Sequence, residues 1–267
     1  MDVHALLSAE PSVDRVAAVA RVALSQRDPQ IDCPRYLAAL DRALGEEPPL
    51  FGTKEYADIY RAAAKSGQWL AMSLITNAEH EGDGARRLWS LAACSPDPRE
   101  RLLLKRHACD ESSHALAYLA LLDLCFPGAA SEDFRAELTQ LSPHFSMAQE
   151  LSPVEGSPYA RVPSADDYLQ MNIAEIRTTI HHLMQREALA AHCPAENAGR
   201  VTRLLDSLMG DELSHVAYTA ELLEAGRWGD GADAFEARFS TRLRDFNRAT
   251  AEEPIDYTYN QRFGNYP

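Results

Sequence analysis

Apolar residues recur at three- and four-residue spacing through most of this chain, and strand-like alternation is rare. The spacing predicts a long helix over about 66–94, with Leu70, Leu74, Ala85, Leu88 and Ala92 on one face at about 100° per residue. Ser95-Pro96-Asp97-Pro98 ends it. Asp97, Pro98 and Glu100 then supply an N-cap, a proline at the first helical position and an acid at the third, which predicts a second helix over about 98–126. Phe126-Pro127-Gly128 closes it. A Pro- and Ser-rich connection over 127–165 follows, with at most a short helix at 131–140. A third long helix is expected over about 165–192 and a fourth over about 195–225, stopped by Gly226, Gly229 and Gly231. Residues 1–65 read as two or three short helices broken by Pro11, Pro29, Pro34 and the Pro48-Pro49 pair. A last helix covers about 233–250, before an aromatic, irregular tail at 255–263. The expected fold is all-α: a four-helix bundle at 66–225 inside a single domain spanning 1–267. A helical extension (1–65) and a C-terminal helix with its tail (226–267) flank the bundle. A long crossover between its second and third helices lets those two lie parallel.

The second and fourth helices carry near-copies of one motif. Asp110-Glu111-Ser112-Ser113-His114 and Asp211-Glu212-Leu213-Ser214-His215 each place a Glu and a His three apart, and Glu212 follows Glu111 by 101 residues. Positions i and i+3 share one helix face, so each motif aims a carboxylate and an imidazole at the same place. Two such helices plus one Glu from each of two others make the ligand set of a dinuclear iron or manganese site within a bundle. Residues equally far from a tight turn lie at equal height in an antiparallel pair. Glu111 lies 14 residues after Asp97 and Glu81 lies 14 before Ser95, so the two should be level. Glu81 also falls inside the apolar stripe, whereas Glu79, the reserve candidate, falls opposite it. By the same reasoning Glu175 is level with Glu212. Glu187 shares the Ile173/Ile176/Ile180/Leu183 face but stands much closer to the turn, and is expected to be a buried salt-bridge partner. The metal ligands expected are therefore Glu81, Glu111, His114, Glu175, Glu212 and His215. Four carboxylates and two imidazoles suit iron or manganese better than zinc. Asp110 and Asp211, one residue back from each motif Glu, are turned about 100° away and fit as carboxylates that accept a hydrogen bond from a ligand His on a neighbouring helix. The structural alternative for them is a pair of solvated acids.

Composition sharpens this picture. The chain has 267 residues, only 13 glycines and a formal charge of −14. No Lys/Arg cluster stands out, so no nucleic-acid partner is expected. Bound cations would offset part of the acid excess. The five cysteines (33, 94, 109, 125, 193) form no Cys-x-x-Cys pair, and Cys94, Cys109 and Cys125 sit in apolar helical text as core thiols. The N-terminus lacks a basic, apolar leader and no apolar run approaches about 18 residues, so no membrane span and a cytoplasmic location are expected.

Over 66–225 the twin motifs resemble the ferritin-like diiron-carboxylate superfamily. The Asp-Glu-x-x-His form is similar to that of bacterial multicomponent monooxygenases and ribonucleotide reductase small subunits, which usually have Arg before the His where this chain has Ser113 and Ser214. Tyr118, four after His114, resembles the reductases' radical tyrosine; its structural alternative is a buried, hydrogen-bonded Tyr. Thr179, four after Glu175, resembles the active-site Thr of the hydroxylases; its alternative is a helix Thr bonded to its own backbone. His107, four before Glu111, resembles the third His of arylamine N-oxygenases, with a core or supporting His as the alternative. His182 is a weaker candidate of the same kind. The resemblance implies two iron ions (manganese being open), dioxygen as co-substrate, a small-molecule substrate, an electron-donor reductase, and an outcome of hydroxylation, N-oxygenation or desaturation. A homodimer is compatible with this. Competing expectations are a ferroxidase or iron-handling protein, a tyrosyl-radical-generating subunit using Tyr118, and a metal-free helical interaction protein.

Overall fold

The computed structural model of the chain describes residues 2–27, 32–226 and 232–259. Among the described residues there are ten α-helices and no strand, and no helix is long and apolar enough to cross a membrane. The N-terminal segment holds α1 (Val3–Ser8), α2 (Val13–Ser25), α3 (Pro34–Glu46) and α4 (Lys54–Ala63), with a 3-10 turn at Leu50–Gly52. That is four α-helices where two or three were expected. Pro48-Pro49 ends α3, and Thr53 then starts α4 afresh by accepting from the Tyr56 amide at 3.2 Å. The long helices are α5 (Gly67–Cys94), α6 (Pro98–Cys125), α8 (Ala165–His192) and α9 (Ala198–Glu224), the last preceded by a 3-10 turn at Ala195–Asn197. Between α6 and α8 lies the short α7 (Glu132–Thr139), and α10 (Ala232–Tyr259) closes the described chain. Helix α10 therefore runs through 255–259, where an irregular tail was expected, with Pro254 inside it. Pro29, Gly229, Gly231 and the tail beyond 259 lie outside the described residues.

The helix starts follow from their caps. Ser66 Oγ accepts from the Trp69 amide at 3.3 Å to open α5. Asp97 Oδ1 accepts from the amides of Arg99 and Glu100 at 2.8 and 3.2 Å to open α6, with Pro98 at its first position. The Arg101 guanidinium donates twice to the Ser95 carbonyl, which fixes the turn between the two helices. Gly226 takes φ +65° after α9, a conformation that favours glycine.

The chain divides into two compact units. The first comprises Met1–Ala63, Ala165–Met184 and Glu212–Pro267; the second comprises Ala64–Ser164 and Gln185–Asp211. In the first unit Tyr36, Leu40, Tyr168 and Phe239 are fully buried. A chain of polar contacts crosses that core. The Tyr36 hydroxyl donates to Asn172 Oδ1 at 2.8 Å, Asn172 Nδ2 donates to the Val216 carbonyl and to Thr219 Oγ1 at 3.0 Å each, and Thr219 Oγ1 donates to the His215 carbonyl at 2.7 Å. Glu224 accepts from the Tyr36 amide at 2.7 Å and so caps α3. Helix α10 is fastened to α3 by Ser240 Oγ donating to Glu46 at 2.9 Å and by the Arg244–Glu47 ion pair at 2.6 Å.

In the second unit α5 packs along α6, and Leu70, Leu74, Ala85, Leu88 and Ala92 are all buried. The crossover returns over these helices. Ser112 Oγ accepts from the Phe145 amide at 3.0 Å, the Ser142 hydroxyl donates to the Ser112 carbonyl at 2.6 Å, and the Phe145 ring stacks on Trp89 with centroids 4.3 Å apart. Lys105 Nζ donates to the carbonyls of Met147 and Gln149, and Ser90 Oγ accepts from the Val154 amide. The crossover comes so close to α5 at Gly82 that an added Cβ would lie 2.1 Å from the Leu141 carbonyl oxygen.

Glycine inside a helix ordinarily costs about 0.5–1 kcal/mol relative to alanine. Gly82→Ala is expected to reverse that sign and destabilise by about 1–3 kcal/mol, because the crossover backbone must lift away. Gly45→Ala on α3, with nothing within 4 Å of the added Cβ, is expected to be neutral or stabilising. Urea unfolding of both variants checks this; equal effects would show that the close approach at Gly82 has no energetic weight.

Candidate metal centre

Each unit gathers one Glu-x-x-His pair and the Glu that the sequence places level with it. In the second unit one ligand atom each from Glu81, Glu111 and His114 lie within 4.8 Å of one another. His114 Nδ1 stands 3.9 Å from Glu81 Oε2 and 3.9 Å from Glu111 Oε1. In the first unit His215 Nδ1 stands 3.4 Å from Glu212 Oε2 and 4.0 Å from Glu175 Oε2. Both motif histidines thus turn Nδ1 toward their two carboxylates. Most of these separations are long for a direct N–H···O bond. Two donors each about 2.1 Å from one ion sit roughly 3–4 Å apart, so the spacing fits an ion between them. Glu111, His114, Glu175, Glu212 and His215 are buried and the Glu81 side chain is 11% exposed, whereas Glu79 is exposed. These buried His and Glu groups could hold metal ions.

The carboxylates preceding the motifs are placed differently from their ligand neighbours. His114 Nε2 lies 3.3 Å from Asp211 Oδ2 in the second unit. A proton on Nε2 donated to Asp211 leaves the Nδ1 lone pair aimed at Glu81 and Glu111, the tautomer a metal ligand needs. Asp110 is half-buried on α6. Two further histidines join the groups. His107 Nε2 is 2.9 Å from Glu111 Oε1, and His182 Nε2 is 3.7 Å from Glu212 Oε1; both rings are buried. Thr179 is fully buried and its hydroxyl donates to the Glu175 carbonyl at 2.8 Å, the backbone bond set out above as its alternative. Tyr118 is buried on α6, one turn beyond His114.

Glu187 does not match its expected burial. It is exposed, five residues from the end of α8 where that helix face meets water, and the buried polar side chain nearby is Gln185 instead. Cys94 and Cys109, expected as core thiols, are half-buried, and only Cys125 of the three is fully inside. Sequence reasoning missed Asn172. It stands three residues before Glu175, so it shares that face of α8, but its partners Tyr36 and Thr219 are distant in sequence and leave no local pattern. Gly82, adjacent to Glu81, was likewise silent.

Beside His182, the His181 ring stacks on Tyr56 with centroids 5.7 Å apart, and the Tyr56 hydroxyl lies 2.9 Å from His181 Nε2. Lost solvation holds the His181 pKa well below the ordinary imidazole value, with Arg177 and then His182 adding to the effect. Compared with protein-family models, with curated proteins and with solved structures, the chain finds no match.

Two outcomes follow. Asp211→Ala is expected to weaken iron or manganese binding about 10–100-fold while leaving helix content unchanged, and Glu81→Ala is expected to weaken it further. Glu79→Ala should leave binding intact; isothermal titration of the metal-free chain decides, and equal losses at 79 and 81 would reverse the assignment. His181 resists protonation when folded and takes a proton near pH 6.5 when unfolded. Its contribution to stability is therefore complete above that pH and is lost as pH falls below it, because the unfolded state binds the extra proton. Thermal unfolding from pH 7.5 to 5 should show a shallower decline in His181→Gln than in the parent chain; parallel curves would contradict the assignment.

Proposed function

We propose that the chain is an oxygen-activating, non-haem dinuclear iron oxidoreductase of the ferritin-like type, in which the two Glu, Glu-x-x-His groups supply the metal ligands. The observation that carries this reading is the double construction itself: in each unit a buried His turns Nδ1 toward two carboxylates, one from its own motif and one from a partner helix. Four carboxylates balance the charge of two divalent ions, and the oxygen-rich set favours iron, or manganese, over zinc. Once bound, the metal pair would supply the reduction of dioxygen and the oxidation of a substrate bond.

The chain's own residues supply placement. Glu81, Glu111 and His114 would supply one set of ligands, and Glu175, Glu212 and His215 the second. Asp211 holds the proton on His114 Nε2 and so keeps Nδ1 available. His107 Nε2 orients Glu111, and His182 faces Glu212, so each motif carboxylate is positioned by an imidazole as well. The crossover clamped over α5 and α6 by Trp89, Ser112 and Gly82 excludes water from that side. A small organic substrate is the expected target, with hydroxylation, N-oxygenation or desaturation as the outcome and electrons delivered by a reductase.

Anaerobic Fe(II) loading followed by air tests the proposal. About two irons per chain, lost in Glu111→Ala and in Glu212→Ala, with a transient visible band and finite oxygen uptake, is the expected result. Less than about half an iron or manganese per chain would overturn it, since a dinuclear set of this kind fills in pairs. Sustained uptake that ends in ferric mineral would assign the chain to iron handling instead.

A further inference from the structure

We infer that Cys125 and Cys193 form an oxidisable thiol pair that closes to a disulfide between the ends of α6 and α8. Cys125 is the last residue of α6 and is buried; Cys193 follows the last residue of α8 and is half-buried. Both belong to the second unit. Contacts on both sides of the pair hold these helix ends together. The Phe126 and His192 rings have centroids 5.6 Å apart, and Asn197 Nδ2 donates to the Leu124 carbonyl at 2.9 Å. Gly67 closes the same end of the unit, where an added Cβ would lie 3.4 Å from Phe126 and 3.5 Å from His192. The two thiols meet inside this frame. The Cys193 thiol donates to the Pro194 carbonyl at 3.3 Å, and the Cys125 side chain hydrogen-bonds to Cys193.

The two sulfurs differ in a way that orders the chemistry. Burial, then the neighbouring Cys193, pushes the Cys125 thiol up to about 12, so it is a poor first nucleophile. Cys193 is the more accessible of the two and meets the oxidant first. Its thiolate attacks the O–O bond of hydrogen peroxide, forming a sulfenic acid and releasing hydroxide, which leaves as water with a proton. Cys125 then attacks the Cys193 sulfur and displaces the sulfenic oxygen, which leaves as a second water carrying the Cys125 proton. Two thiols are oxidised to one disulfide, and one peroxide is reduced to two waters. The product would tie the far end of the helix that carries Glu111 and His114 to the end of α8. This inference does not depend on the metal reading, and the two can fail separately.

The test uses the full chain freed of metal with a chelator, so that iron does not spread the oxidation. The chain is reduced, exchanged out of reductant, treated with equimolar hydrogen peroxide, alkylated under denaturing conditions and mapped by mass spectrometry. The expected result is loss of two hydrogens per chain, one link joining Cys125 to Cys193, reversal by dithiothreitol, and Cys33, Cys94 and Cys109 still alkylated. In Cys125→Ser, oxidation should stop at a Cys193 sulfenic acid that dimedone traps, with circular dichroism confirming the fold. Labelling of Cys193 alone in the parent chain, links between chains, or equal oxidation of all five cysteines would overturn the inference.

Discussion

A carboxylate buried beside an imidazole is costly unless a cation or a shared proton balances it, and the long helices of this chain carry that cost repeatedly. Glu111 and Glu212 are buried on α6 and α9, and each faces two histidines, one of them in its own motif. A bundle could fill those positions with leucine at lower cost. Carboxylates placed there, with the imidazole nitrogens turned toward them, could hold cations between them. The proposed centre follows from this balance more than from any likeness of fold.

The surrounding structure serves to hold these side chains still. In the first unit, the Tyr36–Asn172–Thr219 chain reaches the backbone of His215, so the N-terminal helices help to set the rotation of α9 against α8. In the second, Asp211 holds His114, and the capped turn at Asp97 fixes the register of α6 against α5. The crossover comes close at Gly82, one residue from Glu81, so its seating and the placement of that carboxylate are coupled. Ligand geometry within a few tenths of an ångström depends on such support.

The elements were legible because each long helix announces itself locally. Ser66, Asp97 and the Ser95–Pro98 break set α5 and α6 to within a residue or two, and equal heights across that turn singled out Glu81 over Glu79. Short-range signals failed where tertiary contacts decide. The Leu50–Gly52 turn added a helix to the N-terminal segment, and α10 continues through Pro254 despite the broken pattern there. Glu187 has the right period but stands where its helix face meets water. Asn172 and the Cys125–Cys193 pair depend on partners far away in sequence, which periodicity cannot register.

The most direct test of the account is anomalous-scattering crystallography at the iron edge on crystals loaded anaerobically with Fe(II). The account predicts two peaks per chain, one within bonding distance of His114 Nδ1 and the other of His215 Nδ1. A single peak, or peaks only at surface carboxylates, would contradict it.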